Sequence, residues 1–312
     1  MEIERLIRTQ GGVLSRRQVV GCGGDDNLIE RMVRRRIWQP VHPGVYVNHT
    51  GKPSAEQKRM GAVLYAWPAA LAGESALLAH GVRNVEAAGV TVAIDGARRV
   101  RPQPGMRVVR LTNLADRVLW NLNPPRIRLE LAILQVASER WLAAGEAAAV
   151  ALLGDVCQQR RTTPARLLEA VEGLPCLHGR AFVAGVLADV ASGAFSVLER
   201  RYLTHVERAH GLPRARRQSP VVDQARRGFR DVLYEEQRLV IELDGRLGHE
   251  WATDQWADLE RDLRAATGEL LTVRLGWGAV VDPCRLAPLV GELLQVRGWR
   301  GSPRRCRRCR VA

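Results

Sequence analysis

Apolar positions recur at helical spacing from the start of the chain. Ile3, Leu6 and Ile7 mark one face, and Gly11-Gly12 end it. Ser15 is placed to cap a second short helix, Arg16–Val20, which stops at the glycine-rich stretch 21–24. Asp25, Asp26 and Asn27 offer caps for a third helix. In it Leu28, Met32 and Val33 face inward, while Arg31, Arg34, Arg35 and Arg36 crowd the other side. IWQPVHPGVYVN then supplies two short β-like runs, Ile37–Gln39 and Val45–Val47, around Pro40, Pro43 and Gly44. Three helices followed by a two-stranded wing is the plan of a winged helix-turn-helix, expected over residues 1–50. The competing reading is a generic three-helix cap with a solvated arginine face.

A polar connector, GKPSAEQKR (51–59), leads to a mixed α/β middle region expected over 60–193. There the pattern predicts a helix over Ala62–Ala79 and strands over Gly89–Ile94 and Met106–Leu111. One or two Ala/Leu-rich helices over Arg126–Gln158 follow, then helices over Pro164–Glu172 and Gly179–Ser192. The last third, 196–297, reads as a helix over Ser196–His210 and strands near Gln218–Asp223, Phe229–Tyr234 and Arg238–Asp244. A helix over Thr253–Ala266, a strand over Glu269–Leu275 and a closing helix near Arg285–Val296 complete it. That order, αβββαβ with a final helix, predicts a mixed sheet flanked by helices. The expected class is therefore a multidomain α/β protein.

Length and composition agree with real cores: 312 residues, 46% hydrophobic and 26% charged, which argues against a disordered or fibrous chain. The longest apolar run is broken by Pro68 and followed by Glu74, so no membrane span is expected. The opening residues MEIERLIRTQ lack the pattern of a secretory signal, and the expected location is the cytoplasm. Lys+Arg exceed Asp+Glu by 47 − 33 = 14, which invites a nucleic-acid partner. Only Lys52 and Lys58 among those cations are lysines, so a bias toward G- and C-rich codons would raise the same total. The position of the arginines carries more than their number.

Six cysteines lie at 22, 157, 176, 284, 306 and 309, with no secreted disulfide pattern. Cys306-x-x-Cys309 has metal-ligand spacing, but a structural zinc site takes four ligands and no second CxxC exists. Cys284 or His249 would complete one only through the accident of folding. The reading taken from sequence is a frayed basic tail, 298–312, that settles on phosphates.

The candidate chemistry is acidic. In RLVIELDGR, Glu242 and Asp244 share one face of a strand while Leu239, Ile241 and Leu243 take the other. Two neighbouring carboxylates repel unless something positive lies between them. Asp231 sits on the preceding strand, GFRDVLY, and an even-numbered turn would bring it to the face of Glu242; an odd one would send it away. Such hard oxygen donors suit Mg²⁺ or Mn²⁺, and a metal so held can act on a phosphodiester. His249 is placed for proton transfer, Glu199 is a candidate outer acid, and Arg261 or Arg264 could reach a phosphate. The alternatives are acids scattered around a solvent-facing hairpin, and surface ion pairs among Asp258, Arg261, Asp262 and Arg264.

These residues also carry a resemblance. S196-VLE199, GLP (211–213), Gln218, Asp231, VIELDG (240–245), His249, D258LERD262 and VRLGW (273–277) together resemble the "domain of unknown function 559" family. That family is a branch of the PD-(D/E)XK nuclease superfamily, similar to very short patch repair endonucleases. The resemblance covers 196–297 and implies a restriction-endonuclease-like core with a Mg²⁺-dependent phosphodiesterase site. Asp231 matches its first motif acid, Glu242 its second, Glu199 its helix acid, and His249 the histidine after the strand. Asp244 stands where the superfamily has a lysine. Residues 1–50 resemble the N-terminal winged helix of AbiEi-type antitoxins, and GESALLAHGV (73–82) resembles the segment that accompanies it. The resulting expectation is a DNA endonuclease or nickase that binds DNA through its N-terminal domain. The alternatives are an antitoxin-like transcriptional regulator with an inactive nuclease fold, and a structural partner protein.

Overall fold

A computed structural model describes residues 2–174, 176–192, 196–223, 226–244 and 270–310. The protein is a mixed α/β chain with three sheets among the described residues, and it divides into two compact units, Met1–Val136 and Ala137–Ala312. Among the described residues no helix is long and apolar enough to cross a membrane.

The first unit opens with α1 (Glu2–Thr9), β1 (Val13–Ser15), α2 (Arg16–Gly21), α3 (Asp26–Arg34), β2 (Gln39–His42) and β3 (Val45–Val47). Ser15 caps α2 in a reciprocal box with Gln18, and the Asp25 carboxylate caps α3 by accepting the Leu28 N–H at 2.7 Å. Ile29, which the sequence pattern did not single out, is the buried residue of α3; Leu28, Met32 and Val33 pack beside it against Leu14, Val19 and Trp38. The three strands form one antiparallel sheet in the order β1-β3-β2. β1 was not anticipated.

The expected strand over Ile37–Gln39 starts instead at Gln39. Ile37 is consumed in closing α3: its N–H donates to the Met32 carbonyl, and the Arg36 N–H to that of Val33. This is the six-to-one closure of a helix end, with Arg36 at φ 56° in the left-handed position that usually takes glycine. Arg35 and Arg36 therefore stand in the turn beyond α3 rather than on its face.

Two further expectations fail in this unit. The polar connector ends in α4 (Ala55–Ala66), whose start is fixed by a second capping box between Ser54 and Gln57. The helix expected over Ala62–Ala79 is interrupted at Trp67-Pro68, since proline has no N–H to continue it. The chain instead makes β4 (Ala70–Leu71) and then α5 (Gly73–Ala79). β5 (Val90–Asp95) and β6 (Met106–Leu111) fall where the alternation placed them and run parallel. With β7 (Val118–Leu119) and β8 (Arg126–Ile127) they complete a five-stranded sheet, β6-β5-β4-β8-β7.

The second unit receives the latter half of α7 (Leu129–Ala144), then α8 (Glu146–Gln158), α9 (Pro164–Glu172), α10 (Arg180–Ser192) and α11 (Ser196–Arg201). The chain continues from α11 into a π-helical segment, Tyr202–Arg208. Its wider turn lets Tyr202, Val206 and Glu207 all face inward. They meet a four-stranded sheet, β12-β11-β10-β9, made of β9 (Arg216–Asp223), β10 (Arg226–Tyr234), β11 (Leu239–Asp244) and β12 (Leu271–Gly276). β9, β10 and β11 are antiparallel neighbours, and β11 and β12 are parallel. A closing helix, Pro283–Val296, covers the same core. The helix expected over Thr253–Ala266 lies outside the described residues.

Charge is buried in this unit. The Arg217 guanidinium meets the Glu207 carboxylate at 2.5 Å and lies over the Tyr202 ring, 5.6 Å from its centre. The Tyr202 and Tyr234 hydroxyls are 3.1 Å apart. Arg201, paired with Glu146 and stacked on Phe182, is drawn down to about 10 by burial and then by Arg308.

The tail overturns its sequence reading. The Arg304 N–H donates to the His210 carbonyl at 2.7 Å, and residues 308–310 form a 3₁₀ turn. Pro303 lies against Gly291 of the closing helix, where a Cβ would stand 2.2 Å from its ring. Thus residues 303–310 are docked on the unit; they do not fray.

Candidate active site

The β10–β11 hairpin turns through Glu235–Arg238, with Arg238 in the left-handed region at φ 49°. Four turn residues is an even number, and the register pairs Val232 with Ile241, Leu233 with Val240 and Tyr234 with Leu239. Val232, Tyr234, Leu239, Ile241 and Leu243 face the core that holds Leu198, Tyr202 and Val206. Asp231, Glu242 and Asp244 have the other parity. Toward its end β11 loses its cover: Val240 is buried, while Glu242 and Asp244 are half-buried.

The paired register stops at Val232–Ile241. One step further, the Asp231 carboxylate accepts the Leu243 N–H at 2.7 Å. A side-chain oxygen thus takes over a main-chain position as the two strands part. Burial pushes the Asp231 carboxyl above the ordinary carboxylate range; the Leu243 bond works against it, Glu242 raises it, Arg217 lowers it and Asp244 raises it again. The three strand acids are therefore close enough to feel one another. On the parallel neighbour, Arg274 stands in register with Glu242 and donates to its carboxylate at 3.0 Å. Nothing in sequence reasoning singled out Arg274; its place in VRLGW shows no function until β12 is laid beside β11.

Glu199 is half-buried on α11, ahead of the segment that covers the Val232–Tyr234 face. The structure groups the strand acids with one another and assigns Glu199 to an element on the opposite face. His249, Arg261 and Arg264 lie outside the described residues. Arg31, Arg34, Arg35 and Arg36 are all exposed in the first unit. As donors for a hard divalent cation, Asp231 and Glu242 are suitable: both are carboxylates, they sit on adjacent strands, and their repulsion would be relieved by one.

A second cluster joins three cysteines whose spacing alone did not make a site to a histidine that the sequence did not single out. His210, Cys284, Cys306 and Cys309 come together, with their ligand atoms within 4.8 Å of one another.

No family model and no curated protein matches the chain. Among solved structures it is similar to the crystal structure of RV2827C protein from Mycobacterium tuberculosis. Identity is 20% and the TM-score 0.40, over 60% of this chain and 74% of that one. So distant a likeness carries no argument about fold or function.

Proposed function

We propose that the second unit is a metal-dependent DNA endonuclease or nickase of the PD-(D/E)XK type, and that residues 1–50 form a winged helix that holds it on DNA. The observation that carries this reading is the Asp231 carboxylate at the parting of β10 and β11, raised by burial and by Glu242 and Asp244. The order α, β9, β10, β11, β12 with a parallel last pair supports it. Asp231 and Glu242 would hold Mg²⁺ or Mn²⁺, which supplies charge neutralisation at a scissile phosphodiester. Asp244 takes the place of the superfamily lysine, and Arg274 provides a cation beside Glu242 from the neighbouring strand. His249 would take the proton-transfer role read from its place in the sequence. Exposed Arg31, Arg34, Arg35 and Arg36 would track phosphates, with Arg261 and Arg264 contributing from the second unit.

The test is supercoiled plasmid incubated with the purified chain and Mg²⁺ or Mn²⁺. The expected result is nicked or linear DNA, reduced to background by Asp231→Ala and by Glu242→Ala. Cleavage that survives both changes sinks the assignment. The second reading, an antitoxin-like transcriptional regulator on an inactive nuclease fold, draws on the same ion pair: Arg274 engages the carboxylate that a metal would need. It predicts salt-sensitive binding to the protein's own promoter without cleavage.

A further inference from the structure

His210 ends the segment that follows α11, Cys284 is the second residue of the closing helix, and Cys306 and Cys309 belong to the docked tail. The Cys306 sulfur lies 3.6 Å from that of Cys284 and 3.6 Å from that of Cys309, and Cys309 Sγ lies 3.5 Å from His210 Nε2. A disulfide would bring two sulfurs to about 2.05 Å, so these contacts are not bonds. Around a tetrahedral zinc, bonds of about 2.3 Å to sulfur and about 2.0–2.1 Å to nitrogen set the ligands about 3.7 Å apart for S···S and about 3.5 Å apart for N···S. The observed separations fit those edges.

The histidine is prepared for such a role. It is 2% exposed, and its Nδ1 faces the carbonyls of His205 and Val206 at 3.0 and 3.2 Å. A carbonyl can only accept, so Nδ1 carries the proton and the Nε2 lone pair points toward the cysteines. Metal-binding histidines are oriented by this same outer bond. Charge agrees as well. Three thiolates, one neutral imidazole and Zn²⁺ sum to one negative charge, among Arg304, Arg305, Arg307, Arg308 and Arg310.

We propose that His210, Cys284, Cys306 and Cys309 form a closed Cys₃His zinc site that fastens the tail to the second unit. Four protein ligands leave no open position, so the site is structural, and soft thiolates select zinc over Mg²⁺. It is separate from the strand acids in residues and in chemistry. It also gives the arginine-rich tail a fixed geometry, with Arg305, Arg307 and Arg308 exposed around the half-buried Cys306 and Cys309.

The test uses the full chain, purified under reducing conditions, loaded with zinc and freed of excess metal. Elemental analysis should find roughly one zinc per chain, falling below about a tenth in Cys306→Ser and in Cys309→Ser. Cys176→Ser, outside the cluster, should keep the full equivalent. Because a serine variant can lose metal merely by failing to fold, His210→Cys provides the second arm. It should retain one equivalent, and its cobalt-loaded form should show stronger thiolate-to-metal absorption than the cobalt-loaded parent. Wild-type protein that takes up less than about a tenth of an equivalent overturns the site. So does zinc retained by both serine variants, or cobalt absorption without thiolate charge transfer.

Discussion

The two units treat charge in opposite ways. In the first, the Arg16–Asp26 pair joins α2 to α3 in open water, with both side chains more than half exposed, while the interior around β4 is small and apolar: Ala62, Ala66, Ala69, Ala70, Ala72 and Ala76 are fully buried. In the second, Glu207, Arg201 and His210 are buried and Asp231 partly so. A surface pair contributes little, whereas a buried charge is costly unless it is matched. The contrast teaches where to look for chemistry. The unit whose buried polar groups, among the described residues, are the uncharged Ser15, Ser75 and Thr91 needs only to hold its shape, and the unit that tolerates buried charge has the groups that can do work.

The sharpest way to break this contrast is Arg217→Ala. It leaves Glu207 buried with its cation gone, and the expected loss is about 3–5 kcal/mol by chemical denaturation of the full chain. Burial already raises the Glu207 carboxyl, with Arg217 the leading influence that lowers it, so the variant should recover part of its stability in acid. An Arg217→Ala protein as stable as its parent would mean that the pair is not a structural necessity.

Next in size is Asp231→Asn. The folded state binds the Asp231 proton more tightly than the unfolded state does, so the carboxyl contributes stability below its ordinary pKa and loses it as pH rises through the raised value. Asparagine retains an acceptor for the Leu243 N–H without the charge. The variant should melt a few degrees higher than the parent at neutral pH, with the gap closing in acid. A lower melting point at neutral pH would show that Asp231 is stabilised as an anion, contrary to its surroundings.

The smallest effect is expected from Arg16→Ala in the first unit. Its pair with Asp26 is solvent-exposed, so calorimetry should register no measurable change. A clear destabilisation would erase the distinction between the units.

Local signals explain what could be read from the sequence. Ser15 and Asp25 capped the helices assigned to them, and β6 occupies the six residues expected from its alternation. The capping box Ser54-x-x-Gln57 was equally visible, yet the polarity of 51–59 disguised it as a linker. Pro68 breaks an apolar run in the sequence, and its missing N–H stops the helix that the apolar pattern alone would carry on to Ala79. The hairpin left a choice between odd and even turns, and only the paired strands show four residues. The His/Cys cluster was legible only in part: Cys306-x-x-Cys309 has ligand spacing, but Cys309 and His210 are 99 positions apart and Cys284 and Cys306 are 22 apart, so no local periodicity joins the rest.

The docked tail has a consequence for biosynthesis. Arg304 holds the carbonyl of His210, and Cys309 reaches its ring, so the end of the helical segment that opens the core is secured by residues translated about a hundred positions later. On a ribosome the first unit can finish folding while the second is still emerging. The second must wait, with His210 and the closing helix not yet fastened to the tail, until Cys309 has cleared the exit tunnel. Synthesis of the tail, rather than collapse of the sheet, then sets the moment at which this half of the molecule becomes secure.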